Sequence, residues 1–226
     1  MDLLMNGCSY TAIWQPSEKF INALGCDKVK NISMHGGSFQ RVCRSTIEYF
    51  AKNPKPKFVL IPITFSYRWE LAVGNRNDDI EGNWLPMRTN NNLKQEQLAQ
   101  DVSVSKLNDM IENYYSCIPE DVSFLDKMFT DIIMLSAFLE KQEVPYLMFD
   151  MCNGFDREDL KNFKGMDKLS LIESNKNIVD LFTFCGNRYM WSQLTDAQQK
   201  KADKTTHHHA SLAYHILEKH IIQTFL

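Results

Sequence analysis

The chain has 226 residues, with 44% hydrophobic and 23% charged side chains, and its 25 Lys and Arg against 28 Asp and Glu give a formal net charge of −3. That length supplies one α/β domain with an ample core, and that composition excludes disordered and fibrous classes. The acidic balance argues against nucleic acid as a partner, since counterion displacement needs clustered cations; the basic run from Lys52 to Lys57 is short and broken by prolines. No apolar run approaches the roughly 18 residues of a membrane-spanning helix, so no membrane partner is expected either. The N-terminus, Met1-Asp-Leu-Leu-Met-Asn-Gly-Cys8, puts Asp2 where an export signal carries positive charge. Its apolar stretch is also too short for a secretory signal or for a lipoprotein box ending at Cys8, so a cytoplasmic setting is expected. The cysteines at 8, 26, 43, 117, 152 and 185 form no C-x-x-C pair and read as reduced thiols.

In chain order, Leu3-Leu4-Met5 is a short buried strand entering the turn Asn6-Gly-Cys-Ser9, followed by a helix through Phe20, Ile21 and Leu24 to Gly25. Val29 to Ser33 reads as a second strand. After His35-Gly36-Gly37, Ser38 caps a helix whose apolar stripe is Phe39, Val42, Cys43, Ile47 and Phe50. Asn53-Pro-Lys-Pro-Lys57 stops it, and Phe58 to Ile63 is a nearly all-apolar strand of the kind buried on both faces of a parallel sheet. Residues Leu71 to Asn92 read as a long irregular loop, a flap or interface element. Two helices follow, one carrying Val104, Leu107, Met110, Ile111 and Tyr114, the other Phe124 to Leu139. Met128, Met134 and Met148 follow core periodicity. Pro145 to Asp150 is a fourth strand, Ile178 to Phe184 is a fifth strand or a helix, and Leu212, Ile216, Leu217, Ile221 and Ile222 mark a C-terminal helix. Strands alternating with helices predict a three-layer α/β/α sandwich with a mostly parallel sheet, a single domain over 1–226 with an insertion at about 71–118. In such sheets ligands bind outside the carboxyl edge of the strands.

Three segments reach that edge with chemistry. Ser9 follows the first strand at a helix mouth, where it can cap the helix or serve as a nucleophile. His35-Gly36-Gly37-Ser38 follows the second strand and offers backbone N–H donors. His207-His208-His209 precedes the last helix and can supply an imidazole base. Three adjacent histidines also invite a metal, but neighbouring side chains diverge, so no metal and no cofactor is expected. Cys8 is a rival nucleophile that strand alternation turns away from Ser9, into the core.

These segments resemble the SGNH/GDSL hydrolase family of esterases and acyl hydrolases. Gly7-Cys8-Ser9-Tyr10-Thr11 is similar to the family's nucleophile block, and Asn31-Ile-Ser-Met-His-Gly36-Gly37-Ser38-Phe-Gln-Arg41 to its second block, with Gly36 the preferred oxyanion glycine. Thr206-His-His-His209-Ala-Ser-Leu is similar to the last block, with His209 in the catalytic place and His208 as the rival register. The wording Gly-Cys-Ser-Tyr-Thr and the segment Thr64-Phe-Ser-Tyr-Arg68-Trp-Glu70 are similar to bacteriophage-encoded members, a setting compatible with association with the virion. The resemblance implies a flavodoxin-like fold and acyl transfer from Ser9. It further implies oxyanion donors at Ser9 and Gly36, with Gly37 beside them, and an acylated small molecule or glycan as substrate. Two departures stand out. Thr64, Phe65 and Ser66 occupy the place of the third-block Asn, and Thr206 stands where the family has Asp, with Asp203 the nearest carboxylate.

Other classes remain beside this one. A binding or structural protein that kept the fold after losing the acid is the main rival. A nucleotide-binding α/β protein is disfavoured because no Gly-rich phosphate loop follows the first strand. Arg68 and Glu70 read equally as a loop ion pair or, for Arg68, as a ligand for a substrate carboxylate or phosphate. Trp69 and Trp84 line a pocket or pack under the loop, and His215 and His220 read as surface or satisfied core residues.

Overall fold

The structure, a computed structural model, describes residues 2–72, 84–87, 103–117, 121–150, 166–181 and 211–226. Its centre is a five-stranded, all-parallel sheet built from β1 (Asp2–Met5), β2 (Lys28–Asn31), β3 (Phe58–Ile63), β6 (Tyr146–Asp150) and β7 (Ile178–Asp180). The order across the sheet is β2-β1-β3-β6-β7. The chain therefore moves outward from β1 to β2 and then returns to the other side of β1, which makes the gap between the ends of β1 and β3 a topological switch point.

Alternation along these strands divides the core in two. Leu4, Val59, Ile61, Tyr146 and Met148 face one side, where they pack with Phe39 and Val42 of α3 (Phe39–Lys52), Leu125 to Leu139 of α5 (Asp121–Lys141) and Leu169 and Ile172 of α6 (Met166–Ser174). Leu3, Met5, Phe58, Leu60, Leu147 and Phe149 face the other, against Phe20 of α2 (Glu18–Ala23) and Tyr214, Leu217 and Ile221 of the C-terminal helix α7 (Ser211–Phe225). Two apolar faces, each covered by helices, give the three layers expected from the sequence.

Pro62 occupies a central strand, where a missing N–H ordinarily breaks a ladder. Leu60 faces β1, since its carbonyl accepts the Asn6 N–H at 3.2 Å. By alternation Pro62 faces the same side two residues later, beyond the last β1–β3 pair, Met5 with Leu60. The chain has already turned away there, so no ladder bond is lost.

Several expectations are corrected. The single helix after β1 is two short ones, α1 (Ser9–Ala12) and α2, parted at Pro16; Ser17 starts the second by accepting the Phe20 N–H. On α3 the buried face is Phe39, Val42, Thr46 and Tyr49, a 3-4-3 spacing, whereas Ile47 falls past that face and is 46% exposed. Met134 is 66% exposed, on the outer side of α5, and is not core. Within the supposedly irregular 71–92 stretch, β4 (Trp69–Ala72) and β5 (Trp84–Met87) form an antiparallel pair; the rest of that loop lies outside the described residues. Met87 of β5 packs with Leu107 and Ile111 of α4 (Val104–Cys117). The ambiguous stretch at Ile178 is a strand, β7, and α6 was not anticipated. Among the described residues no helix is long and apolar enough to cross a membrane.

Candidate functional site at the switch point

The turn after β1 is held from three sides. Ile32 donates its N–H to Met5 O at 2.9 Å, and Met34 donates to Gly7 O at 3.2 Å, which ties the β2 exit to the β1 exit. A Cβ on Gly7 would lie 2.1 Å from Thr11 Oγ1 and 3.3 Å from Pro62 O, so only glycine fits between α1 and β3.

Beneath the turn lies a buried polar cluster. Asn6 Nδ2 donates to Val42 O at 3.0 Å, Ser45 Oγ at 2.8 Å and Thr46 Oγ1 at 2.9 Å. Arg41, 4% exposed, donates through Nη1 to Asn6 Oδ1 at 2.9 Å and through Nη2 to Ile32 O at 2.7 Å. One guanidinium thus bridges the loops that follow β1 and β2. Burying a cation is costly unless its protons are answered, and here both terminal nitrogens find acceptors.

Ser9 stands on this platform as the first residue of α1. The N-cap is Cys8, whose side chain makes no capping bond, so the Ser9 hydroxyl is not the cap. It has no hydrogen-bond partner among the described residues. Cys8 is buried, as alternation predicted.

Met34-His35-Gly36-Gly37 closes a tight turn, with the Gly37 N–H on Met34 O at 3.1 Å and Gly36 at φ +76°. That positive φ at the third position is the type II requirement for glycine. The turn consumes the Gly37 N–H and leaves that of Gly36 without an acceptor among the described residues. Gly37 abuts the first turn: a Cβ there would be 3.4 Å from Gly7 O. His35 is exposed beside it.

The third turn joins through Thr64, fully buried, whose hydroxyl donates to Gly37 O at 3.1 Å. Its proton is therefore committed, and Thr64 does not replace the third-block Asn as a free donor. Ser66 is half-buried and engaged in an interaction of its own. Arg68 approaches Thr64 Oγ1 with Nη1 at 3.5 Å and lies over the Phe65 ring at 4.6 Å. The Arg68–Glu70 ion pair does not form. Glu70 turns instead to Arg44 of α3, which meets it with both Nε (3.1 Å) and Nη2 (2.9 Å).

Ser9, Gly36, Gly37, Thr64, Ser66 and Arg68 thus come together along one edge of the sheet. Asp203, Thr206, His208 and His209 lie outside the described residues. Sequence reasoning missed Asn6 and Arg41 as the platform, although both stand inside the motifs that mark the site. It also missed Glu218, buried on α7, which accepts from Trp14 Nε1 at 3.0 Å and from the Ser17 N–H at 3.0 Å. Tyr214 OH donates to Tyr10 O at 2.7 Å, so α7 is pinned to the residue after Ser9. His215 is half-exposed with Nδ1 at 3.4 Å from Glu218 Oε2, and His220 sits against Phe225. Trp69 packs on Tyr114, with ring centroids 4.6 Å apart. Burial pushes the Cys43 thiol well above its usual range, which makes it inert as a nucleophile.

No protein-family model matches the chain, and no curated protein does. Among solved structures, a provisionally named acylhydrolase of Bacteroides fragilis is similar at 12% identity and a TM-score of 0.47, over 98% of this chain and 85% of that one. A GDSL-like lipase of Bacteroides thetaiotaomicron gives 12% identity and 0.45, over 100% and 89%. A member of the lipolytic G-D-S-L family from Veillonella parvula gives 9% and 0.44, over 99% and 97%. At these scores the likenesses assign no residue here; the fold rests on the chain's own strand order and layers.

Proposed function

We propose that this protein is an SGNH-like serine ester hydrolase, an esterase or deacetylase of acylated small molecules or glycans. The observation that carries the reading is the Ser9 hydroxyl: it is spared from capping, stands in the turn held by the buried Asn6–Arg41 platform, and that turn is tied to the one carrying the uncommitted Gly36 N–H. In this mechanism His209 (or His208, one register away) takes the proton from Ser9 Oγ as the oxygen attacks the ester carbonyl. The N–H groups of Ser9 and Gly36 hold the oxyanion. The C–O bond to the alcohol breaks, the imidazolium returns its proton to the departing oxygen, and water attacks the acyl-enzyme with the same base. Thr206 can accept the histidine Nδ1–H without supplying the charge of an aspartate; Asp203 is the nearest carboxylate along the sequence, one turn earlier than the family's acid.

A fluorophosphonate probe tests this on the full chain. The wild type should be labelled at Ser9 and Ser9→Ala should not. Equal labelling of both, or of neither, removes Ser9 as nucleophile and leaves the alternative: a binding or structural relative that retains the fold.

A further inference from the structure

Among the described residues three arginines lie within reach of this edge, and their surroundings differ. Arg41 is buried and bonded to Asn6 Oδ1 and Ile32 O. Arg44 presents its Nε–Nη2 fork to Glu70 in the two-point geometry that guanidinium makes with carboxylates. Arg68 is half-buried, yet no carboxylate meets it among the described residues. Its Nη1 has only the long contact to Thr64 Oγ1, and its Nε is a buried donor with no acceptor.

A half-buried cation without a counter-ion costs free energy, and an orphaned buried N–H adds to that cost. Its placement is nevertheless well defined. The guanidinium is 4.6 Å from the centre of the Phe65 ring and 5.9 Å from that of Tyr67, contacts that hold its plane while leaving its charge uncancelled. Phe65 also touches the Tyr10 ring, with centroids 6.4 Å apart, so one side chain separates Arg68 from the neighbour of Ser9. Thr64 likewise separates it from Gly37.

We propose that Arg68 is an anion-binding residue of this site, so that the ester brought to Ser9 carries a carboxylate or a phosphate away from the scissile bond. This rests on the hydrolase reading and narrows its substrate class. The anion meets the terminal nitrogens of the guanidinium, since Nε lies buried. The rings fix the distance between the bound anion and the reacting carbonyl.

Three acetate esters with a common phenol frame test the idea: methyl 4-acetoxybenzoate, which is neutral, 4-acetoxybenzoate and 4-acetoxyphenyl phosphate. Charge-assisted bonds are worth about ten- to a hundredfold. The wild type should therefore favour at least one anionic ester over the neutral one by about tenfold or more in kcat/KM, and which one it favours separates carboxylate from phosphate. That ratio should collapse in Arg68→Gln. A wild-type ratio near one, or a ratio that survives in Arg68→Gln because all three rates fall together, overturns the proposal and makes Arg68 an oxyanion donor or a packing residue. If the wild type hydrolyses none of them, the hydrolase reading has failed and calorimetry decides the anion site alone. Ser9→Ala protein is titrated with 4-hydroxybenzoate and with 4-hydroxyphenyl phosphate, with and without Arg68→Gln. Binding that depends on Arg68 upholds the site, and absence of binding overturns it.

Discussion

Beneath the β1 turn, Asn6 makes hydrogen bonds to Val42 O, Ser45 and Thr46 and receives one from Arg41, whereas past the end of β3 Arg68 makes one long contact and leaves Nε unanswered. The two clusters adjoin, linked through Gly37 and Thr64. The first is scaffold: satisfied polar groups in low dielectric define one geometry and hold the Ser9 turn in it. The second leaves a donor unanswered among the described residues, which is the feature the proposed anion site rests on. Burial alone does not separate these roles; satisfaction of hydrogen bonds does.

The sharpest way to break this contrast is to compare the two arginines by urea unfolding. Arg41→Met strands Asn6 Oδ1 and Ile32 O inside the core and should cost about 3 kcal/mol. A loss below about 1 kcal/mol would mean that the platform is not a scaffold. The next effect lies on the opposite face of the sheet. Glu218→Ala strands the Trp14 indole N–H and the Ser17 N–H and should cost about 2 kcal/mol, read as a lower urea midpoint at unchanged slope. Glu218→Gln, which keeps one acceptor oxygen, should recover about half. The smallest effect is Arg68→Met. The ring contacts retained by the methionine and the relief of an uncompensated cation nearly offset, so stability should stay within about 0.5 kcal/mol of wild type. A loss as large as that of Arg41→Met would erase the distinction and place Arg68 in the scaffold.

Much of the fold was legible because short periods carry it. Phe58 to Ile63 is apolar throughout and lies buried on both faces of the sheet, and Ser38 caps α3 through the Arg41 N–H as its position after Gly37 implies. Structure and sequence pattern part where residue type and helical angle disagree. Ile47 is apolar but sits one residue past the face that Thr46 shares, so its identity misled where its angle did not. Pro16 divides the helix after β1, a breaker visible in the sequence. The site was legible in part. Ser9, Gly36 and Arg68 stand in motifs the sequence displays, while Asn6 and Arg41 do not stand out, because nothing local distinguishes a buried guanidinium from a solvated one.

The sequence by itself determined the alternation of strands and helices and the turns that bring Ser9, Gly36 and Thr64 to one edge. These follow from residue volume, backbone freedom and periodicity, which act over a few residues. Only the tertiary structure decided which charges meet. Glu70 stands two residues from Arg68 along the chain yet pairs with Arg44, 26 residues away, because packing α3 beside β4 brings the Arg44 fork onto the buried carboxylate. Ion pairing depends on distance and desolvation in three dimensions, so the absence of a carboxylate against Arg68 among the described residues emerges only once the chain is folded.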